Sequence, residues 1–298
     1  MGLLAAEALL HTSLGDRIPE AGKWGNDRLA KIVEQAALYS EEGPVDLLLF
    51  GSSQGATWIE ESNLRAAGIR AVNASVPGGN TVLADLLGTR LFLPTLKPKV
   101  VVITVGPMSL SSWNTHFIHA VEGSPVGGPI LRGDAASIWI NEHVMLIRKG
   151  GQTLSSTTLR AWKQSLLGAP KATAAAEAAE PGTNLEAQLA TLRTLRSDAA
   201  QFAAMRHLRE AAEAAGATVL FINMPVRDQA KVGAAWNYED YLAALRSATA
   251  GYPLLDLDAL AQEQHFGDYS HPSPAGQQAM RSAVEGFVRS HLDGAKRP

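Results

Sequence analysis

Val45-Asp46-Leu47-Leu48-Leu49-Phe50-Gly51-Ser52-Ser53-Gln54-Gly55 passes from an apolar run directly into a glycine-flanked pair of serines. The run Val45–Phe50 has the aliphatic content of a strand, and the glycines and serines after it signal a tight strand-to-helix turn. Four more runs of this kind follow, at Ile69–Ala74, Val100–Val105, Thr218–Asn223 and Pro253–Leu257. Four of the five lack a clean period-two alternation, as expected of strands covered on both faces. Between the strands lie helical patterns. Asn26–Ser40 places Leu29, Ile32, Val33, Ala36 and Ala37 at helical spacing. Leu185–Ala215 carries the stripe Leu189, Leu192, Leu195, Ala199, Phe202 and Met205, with Gly216 as its stop signal. Ser273-Pro274 opens a last helix whose expected buried face is Met280, Ala283, Val284, Phe287 and Val288. Strand alternating with helix predicts a doubly wound α/β domain around a five-stranded parallel sheet.

Composition narrows the function classes. The 298 residues are 46% hydrophobic and 18% charged, with a net charge of -3, so no basic surplus points to nucleic acid. There are no cysteines, which excludes disulfides, thiolate metal sites and a cysteine nucleophile. No run of 18 apolar residues is present, so no membrane span is expected. The start, Met1–Leu10, is apolar but short, lacks a basic leader and carries Glu7. It reads either as an amphipathic first helix or as the stub of an anchor. The compartment accordingly stays open between the cytoplasm and an extracytoplasmic location. Residues 1–298 read as one domain with an insertion at about 110–183. Within it, Leu110–Leu167 is rich in Ser, Gly, Trp and His, and the Ala-rich stretch Ala169–Thr183 reads as a linker.

In an open parallel sheet, ligands collect beyond the carboxyl ends of the strands. The residues that follow the runs are therefore the candidates. They are Gly51–Gly55, Ser75–Asn80, Gly106–Ser109, Met224–Arg227 and, after a short helical stretch, Asp268-Tyr269-Ser270-His271. A serine becomes a nucleophile when a histidine takes its proton and a carboxylate orients that histidine. Ser53, His271 and Asp268 offer this set on one rim. Each element has a plainer reading: Ser52-Ser53 as a helix cap, Gly51–Gly55 as a phosphate cradle, and Asp268–His271 as a surface turn. His116-x-x-His119 has metal-like spacing but no matching carboxylate, and a loop or packing role fits it better. Trp113, Trp139 and Trp162 could form a sugar-stacking wall or pack locally. Arg227 could bind an anionic substrate group or pair with a surface acid. The insertion, starting straight after the third strand, is expected to wall the substrate site.

These blocks resemble the SGNH (GDSL-like) hydrolases. Asp46–Ser53 resembles the family's first block, a strand followed by Gly-Asp-Ser, with the nucleophile falling on Ser53 and Ser52 replacing the aspartate. Val72-Asn73-Ala74-Ser75-Val76-Pro77-Gly78 resembles the second block, in which a glycine amide lines the oxyanion hole. Asp268–His271 with Pro272-Ser273-Pro274-Ala275-Gly276 resembles the last, Asp-x-x-His leading into a helix. The third block departs: Gly106-Pro107-Met108-Ser109 stands where the family has Gly-x-Asn-Asp, so the oxyanion asparagine is missing.

The resemblance implies a three-layer α/β/α sandwich with strand order 2-1-3-4-5. It also implies serine-dependent acyl transfer or ester hydrolysis on a small-molecule or carbohydrate ester, without cofactor or metal. The amides of Ser53 and Gly78 would hold the oxyanion, with Ser109, Asn114 or Asn80 as substitutes for the missing side chain. Gly-Ser-Ser in the first block is similar to the branch that includes the alginate and cell-wall O-acetylation proteins. Two other classes stay open, a non-catalytic binding protein on the same fold and a nucleotide- or flavin-binding doubly wound protein.

Overall fold

The computed structural model describes residues 38–112, 195–232 and 237–294, with residues 8, 32, 35 and 36 from the segment before them. The chain divides into two units, Lys31–Phe117 with Asn184–Pro298, and Met1–Ala30 with Ile118–Thr183. The second falls, but for Ala8, outside the described residues. So do the insertion beyond Ser112, the stretch Ala169–Thr183, and with them Trp113, Trp139, Trp162, Asn114, His116 and His119.

Five strands form one sheet: β1 (Leu47–Phe50), β2 (Ala71–Asn73), β3 (Val100–Val105), β4 (Thr218–Asn223) and β5 (Leu254–Asp256). Their order is β2-β1-β3-β4-β5 and every pairing is parallel. This is the expected order. β3 and β4 keep the expected bounds, while the other three are shorter than their apolar runs. Val45, Ile69 and Leu257 stay buried just outside the ladder, so apolar content overshoots strand length there.

Both faces of the sheet are covered, which accounts for the missing alternation. Leu47 and Leu49 of β1, with Val100, Val102, Leu220 and Ile222, pack against Trp58, Leu64, Met280, Val284 and Val288. Leu48 and Phe50, the alternate residues of β1, are equally buried. Phe50 meets Phe92 with ring centroids 6.1 Å apart. Each such aliphatic or aromatic side chain contributes roughly 1.5–3 kcal/mol on burial.

From Ser53 on, the α-helices among the described residues are α1 (Ser53–Trp58), α2 (Glu61–Ala66), α3 (Thr81–Leu87), α4 (Leu93–Leu96), α5 (Ala199–Ala214), α6 (Asp228–Val232), α7 (Tyr238–Ala248) and α8 (Pro274–Gly294). A π-helical turn, Gly88–Phe92, joins α3 to α4. α8 starts where the serine-proline signal places it. Its Met280, Val284 and Val288 are buried, with Ala283 and Phe287 partly so. Ile32 and Ala36 are buried as the early helical pattern expects, whereas Leu29, Val33 and Ala37 lie outside the described residues. Among the described residues, no helix is long and apolar enough to cross a membrane.

α5 corrects the expected long helix. Residues 185–194 lie outside the described residues, but Leu195–Asp198 are not helical, and Asp198 is extended. Ser197 bridges Ser111, the amide of Asp198 donates to Leu110 O at 3.1 Å, and its carboxylate caps Ala200 N at 2.9 Å. An aspartate before an alanine-rich helix is a good N-cap, and that signal outweighs the apolar stripe running through it. The buried face is Gln201, Ala204, Met205, Leu208 and Ala212, leaving Ala199 exposed and Phe202 half-buried. A polar joint sets this rotation. Gln201 Oε1 accepts from Thr81 Oγ1 at 2.8 Å and from Val82 N at 3.1 Å, satisfying donors in the first turn of α3 that have no partner within that helix.

Candidate active site

β1 ends at Phe50, Ser52 caps α1 by accepting from Gln54 N at 3.4 Å, and Ser53 is the first residue of α1. The two glycines of this turn answer to the neighbouring strand. A Cβ added to Gly51 or Gly55 would collide with Thr104 Oγ1 and crowd Ser75 Oγ. Thr104 cannot easily yield, because it is buried and its hydroxyl donates to Phe50 O at 2.9 Å. The glycines therefore let α1 settle on the end of β3. Gly55→Ala should lower stability by about 1–3 kcal/mol, although alanine favours a helix over glycine. A thermal melt checks this, and an unchanged or higher Tm would show that the Thr104 contact can relax.

The three residues expected at the rim come together. Ser53 Oγ lies 2.9 Å from His271 Nε2, and His271 Nδ1 lies 2.7 Å from Asp268 Oδ2. The other carboxylate oxygen, Asp268 Oδ1, accepts from Ser270 N at 2.8 Å and from His271 N at 2.7 Å. Burial alone would raise the Asp268 pKa. The hydrogen bond and charge of His271, together with the two amides, outweigh burial and bring it from 3.8 to about 2. The carboxylate is thus ionised and locked, which orients the imidazole with one nitrogen toward the serine.

Contacts across the chain hold the Asp268–His271 loop against α1. Trp58 Nε1 donates to Ser270 O at 2.7 Å, and its ring meets Phe266 edge-on at 5.5 Å. Gln277 Nε2 donates to Thr57 O at 2.9 Å. The α8 end of the loop closes through Ser273 N to His265 O and Gly267 N to His271 O, both 2.8 Å. Sequence reading missed Trp58. Its only local signal is an aromatic residue five positions after the serine.

Gln54, next to Ser53, is also new to the site. It is fully buried and its Nε2 donates to Pro225 O at 2.9 Å. Its Oε1 lies where a Cβ on Gly106 would collide with it. One side chain thereby gathers the loops after β1, β3 and β4. Asn73 does the same for β2, donating to Gly55 O at 3.0 Å and Ile59 O at 2.8 Å.

The remaining expected residues occupy the same rim loops. Gly78 follows β2 with φ at 77°, a left-handed conformation suited to glycine. Asn80 is buried and caps α3, its Oδ1 accepting from Leu83 N at 3.1 Å. Ser109 is buried, with its carbonyl facing Thr81 Oγ1 at 3.4 Å. Met108, where the sequence resemblance expects an asparagine, is buried against Leu195, Ala230 and Tyr269. Arg227 pairs with an acid: its Nε lies 2.9 Å from Glu263 Oε1, in an ion pair rather than an aligned hydrogen bond.

No family model matches the chain, and no curated protein matches it in sequence. Among solved structures, it is similar to a GDSL-like lipase from Bacteroides thetaiotaomicron at 13% identity and a TM-score of 0.44, over 87% of this chain and 99% of that one. It is also similar to a carbohydrate esterase family 3 protein from Talaromyces cellulolyticus at 10% identity and a TM-score of 0.40, over 84% of this chain and 99% of that one.

Proposed function

We propose that this chain is a serine esterase or acyltransferase of the SGNH class, working through an acyl-enzyme on Ser53. The observation that carries the reading is the unbroken hydrogen-bond chain from Ser53 through His271 to an ionised Asp268, at the carboxyl rim of a parallel sheet. Ser53 Oγ attacks the acyl carbon while its proton passes to His271 Nε2, and the carbonyl electron pair moves onto oxygen as an oxyanion. That intermediate collapses, the alkoxide leaving group takes the proton from Nε2, and the acyl group remains on Oγ. Water completes hydrolysis by the reverse proton path, or an acceptor hydroxyl completes transfer. Asp268 stabilises the imidazolium without becoming protonated. The amides of Ser53 and Gly78 are the oxyanion donors that the family resemblance implies, and a carbohydrate ester is the substrate class implied by the Gly-Ser-Ser form of the first block.

A second reading, a non-catalytic binding protein on the same fold, draws support from Met108, which places a thioether where the family carries a donor. A fluorophosphonate probe separates the two. An enzyme gains one adduct in intact mass, mapped to Ser53, and turns over an aryl acetate. A protein that stays unlabelled and inert under the same conditions loses the acyl-enzyme reading, and the binding reading is then the one left.

A further inference from the structure

The inference rests on the acyl-enzyme reading and concerns the charge that reading creates. Removing one oxyanion donor typically costs about 10² to 10³ in turnover, and Met108 has no hydrogen to donate. What its sulfur does touch is the phenol of Tyr269, whose Oη donates to Met108 Sδ at 3.4 Å. Tyr269 lies between Asp268 and His271 in the catalytic loop, and its ring meets the His271 imidazole edge-on at 6.4 Å between centroids.

The tyrosine is well held. Its carbonyl accepts from Arg227 N at 2.9 Å, and its ring packs on the Met108, Leu195 and Ala230 cluster. Its hydroxyl, by contrast, is paired with one of the weakest acceptors a protein offers. A hydrogen bond to an ionised oxygen is about twice as strong as one between neutral groups, so an oxyanion within reach would replace the thioether as the acceptor of this hydrogen bond. Burial pushes the phenol pKa above its ordinary value of 10, with the Ser270 side chain opposing in part, which keeps the hydroxyl a donor at neutral pH. We propose that Tyr269 Oη supplies the oxyanion hydrogen bond that the third block lacks, with the methionine as its resting partner. Asn80 caps α3 through Oδ1, and Ser109 accepts from Thr81 through its backbone carbonyl, so the Asn80 amide nitrogen and the Ser109 hydroxyl are the rival donors the test must separate from Tyr269.

Tyr269→Phe keeps the ring and removes only the hydroxyl. On an aryl acetate its kcat should fall about 10² to 10³ with KM within about threefold, the pattern of an interaction made only in the transition state. An aryl boronic acid, which forms a tetrahedral adduct on a nucleophilic serine, should lose about 10² in affinity over the same substitution. A fall in kcat smaller than about tenfold, a change confined to KM, or unchanged boronic acid affinity would each overturn the assignment. So would finding the loss in Asn80→Ala or Ser109→Ala instead. A wild-type protein that neither turns over the ester nor labels at Ser53 is a different failure, because it removes the acyl-enzyme reading itself and this inference with it.

Discussion

Ser53→Ala and His271→Ala are each expected to lower turnover of a small aryl acetate by about four to six orders of magnitude, with the double variant scarcely worse than either single. The reason lies in the 2.9 Å link between Oγ and Nε2. Without the imidazole the hydroxyl keeps its proton, and without the hydroxyl the imidazole has no nucleophile to activate, so each removal takes away the whole unit. Ser52→Ala is the control. Ser52 contributes a cap to α1, so its loss should cost about 1 kcal/mol of stability while activity persists. Steady-state rates on the purified variants decide the matter. Activity retained in Ser53→Ala and lost in Ser52→Ala would move the nucleophile by one residue.

Asp268→Asn should lower kcat by about 10⁴ with the fold intact. The asparagine amide can replace the carboxylate in space, but it cannot hold the imidazole in the tautomer that accepts the serine proton. The same carboxylate predicts a pH dependence. Its pKa is depressed from 3.8 to about 2, so the stability it contributes is fully present above about pH 4 and is lost as the pH falls through about 2. Urea midpoints of the wild type and Asp268→Asn, measured between pH 6 and pH 2, should keep a constant gap down to about pH 4 and converge below it. Convergence already at pH 5 would mean that His271 and the two amides do not stabilise the charged form as described.

These expectations rest on features that are legible to different degrees in the linear chain. β3 and β4 were readable to the residue because an uninterrupted aliphatic run between turn signals is itself the property that buries a strand on both faces. α8 was readable because Ser273-Pro274 caps it and its apolar residues repeat at helical spacing. The Asp268–His271 loop is readable because the two residues are three apart, so local backbone alone brings the carboxylate to Nδ1. The start of α5 was not read correctly, since a stripe of leucines and alanines runs across Asp198 without a break and only the capping bond shows where the helix begins. Its rotation was further hidden, because Gln201 faces inward for the sake of donors on α3, far away in the chain. The same limit applies at the site. Ser53 meets His271 across 218 residues, Gln54 meets Pro225 across 171, and Met108 meets Tyr269 across 161. The sequence alone determined the strands, the glycine turn and the residue types that could form a catalytic set, because these follow from each residue's own chemistry and its near neighbours. Only the tertiary structure decided that Trp58 and Gln54 brace the set and that a phenol faces Met108, since those contacts exist once distant segments converge on one sheet edge.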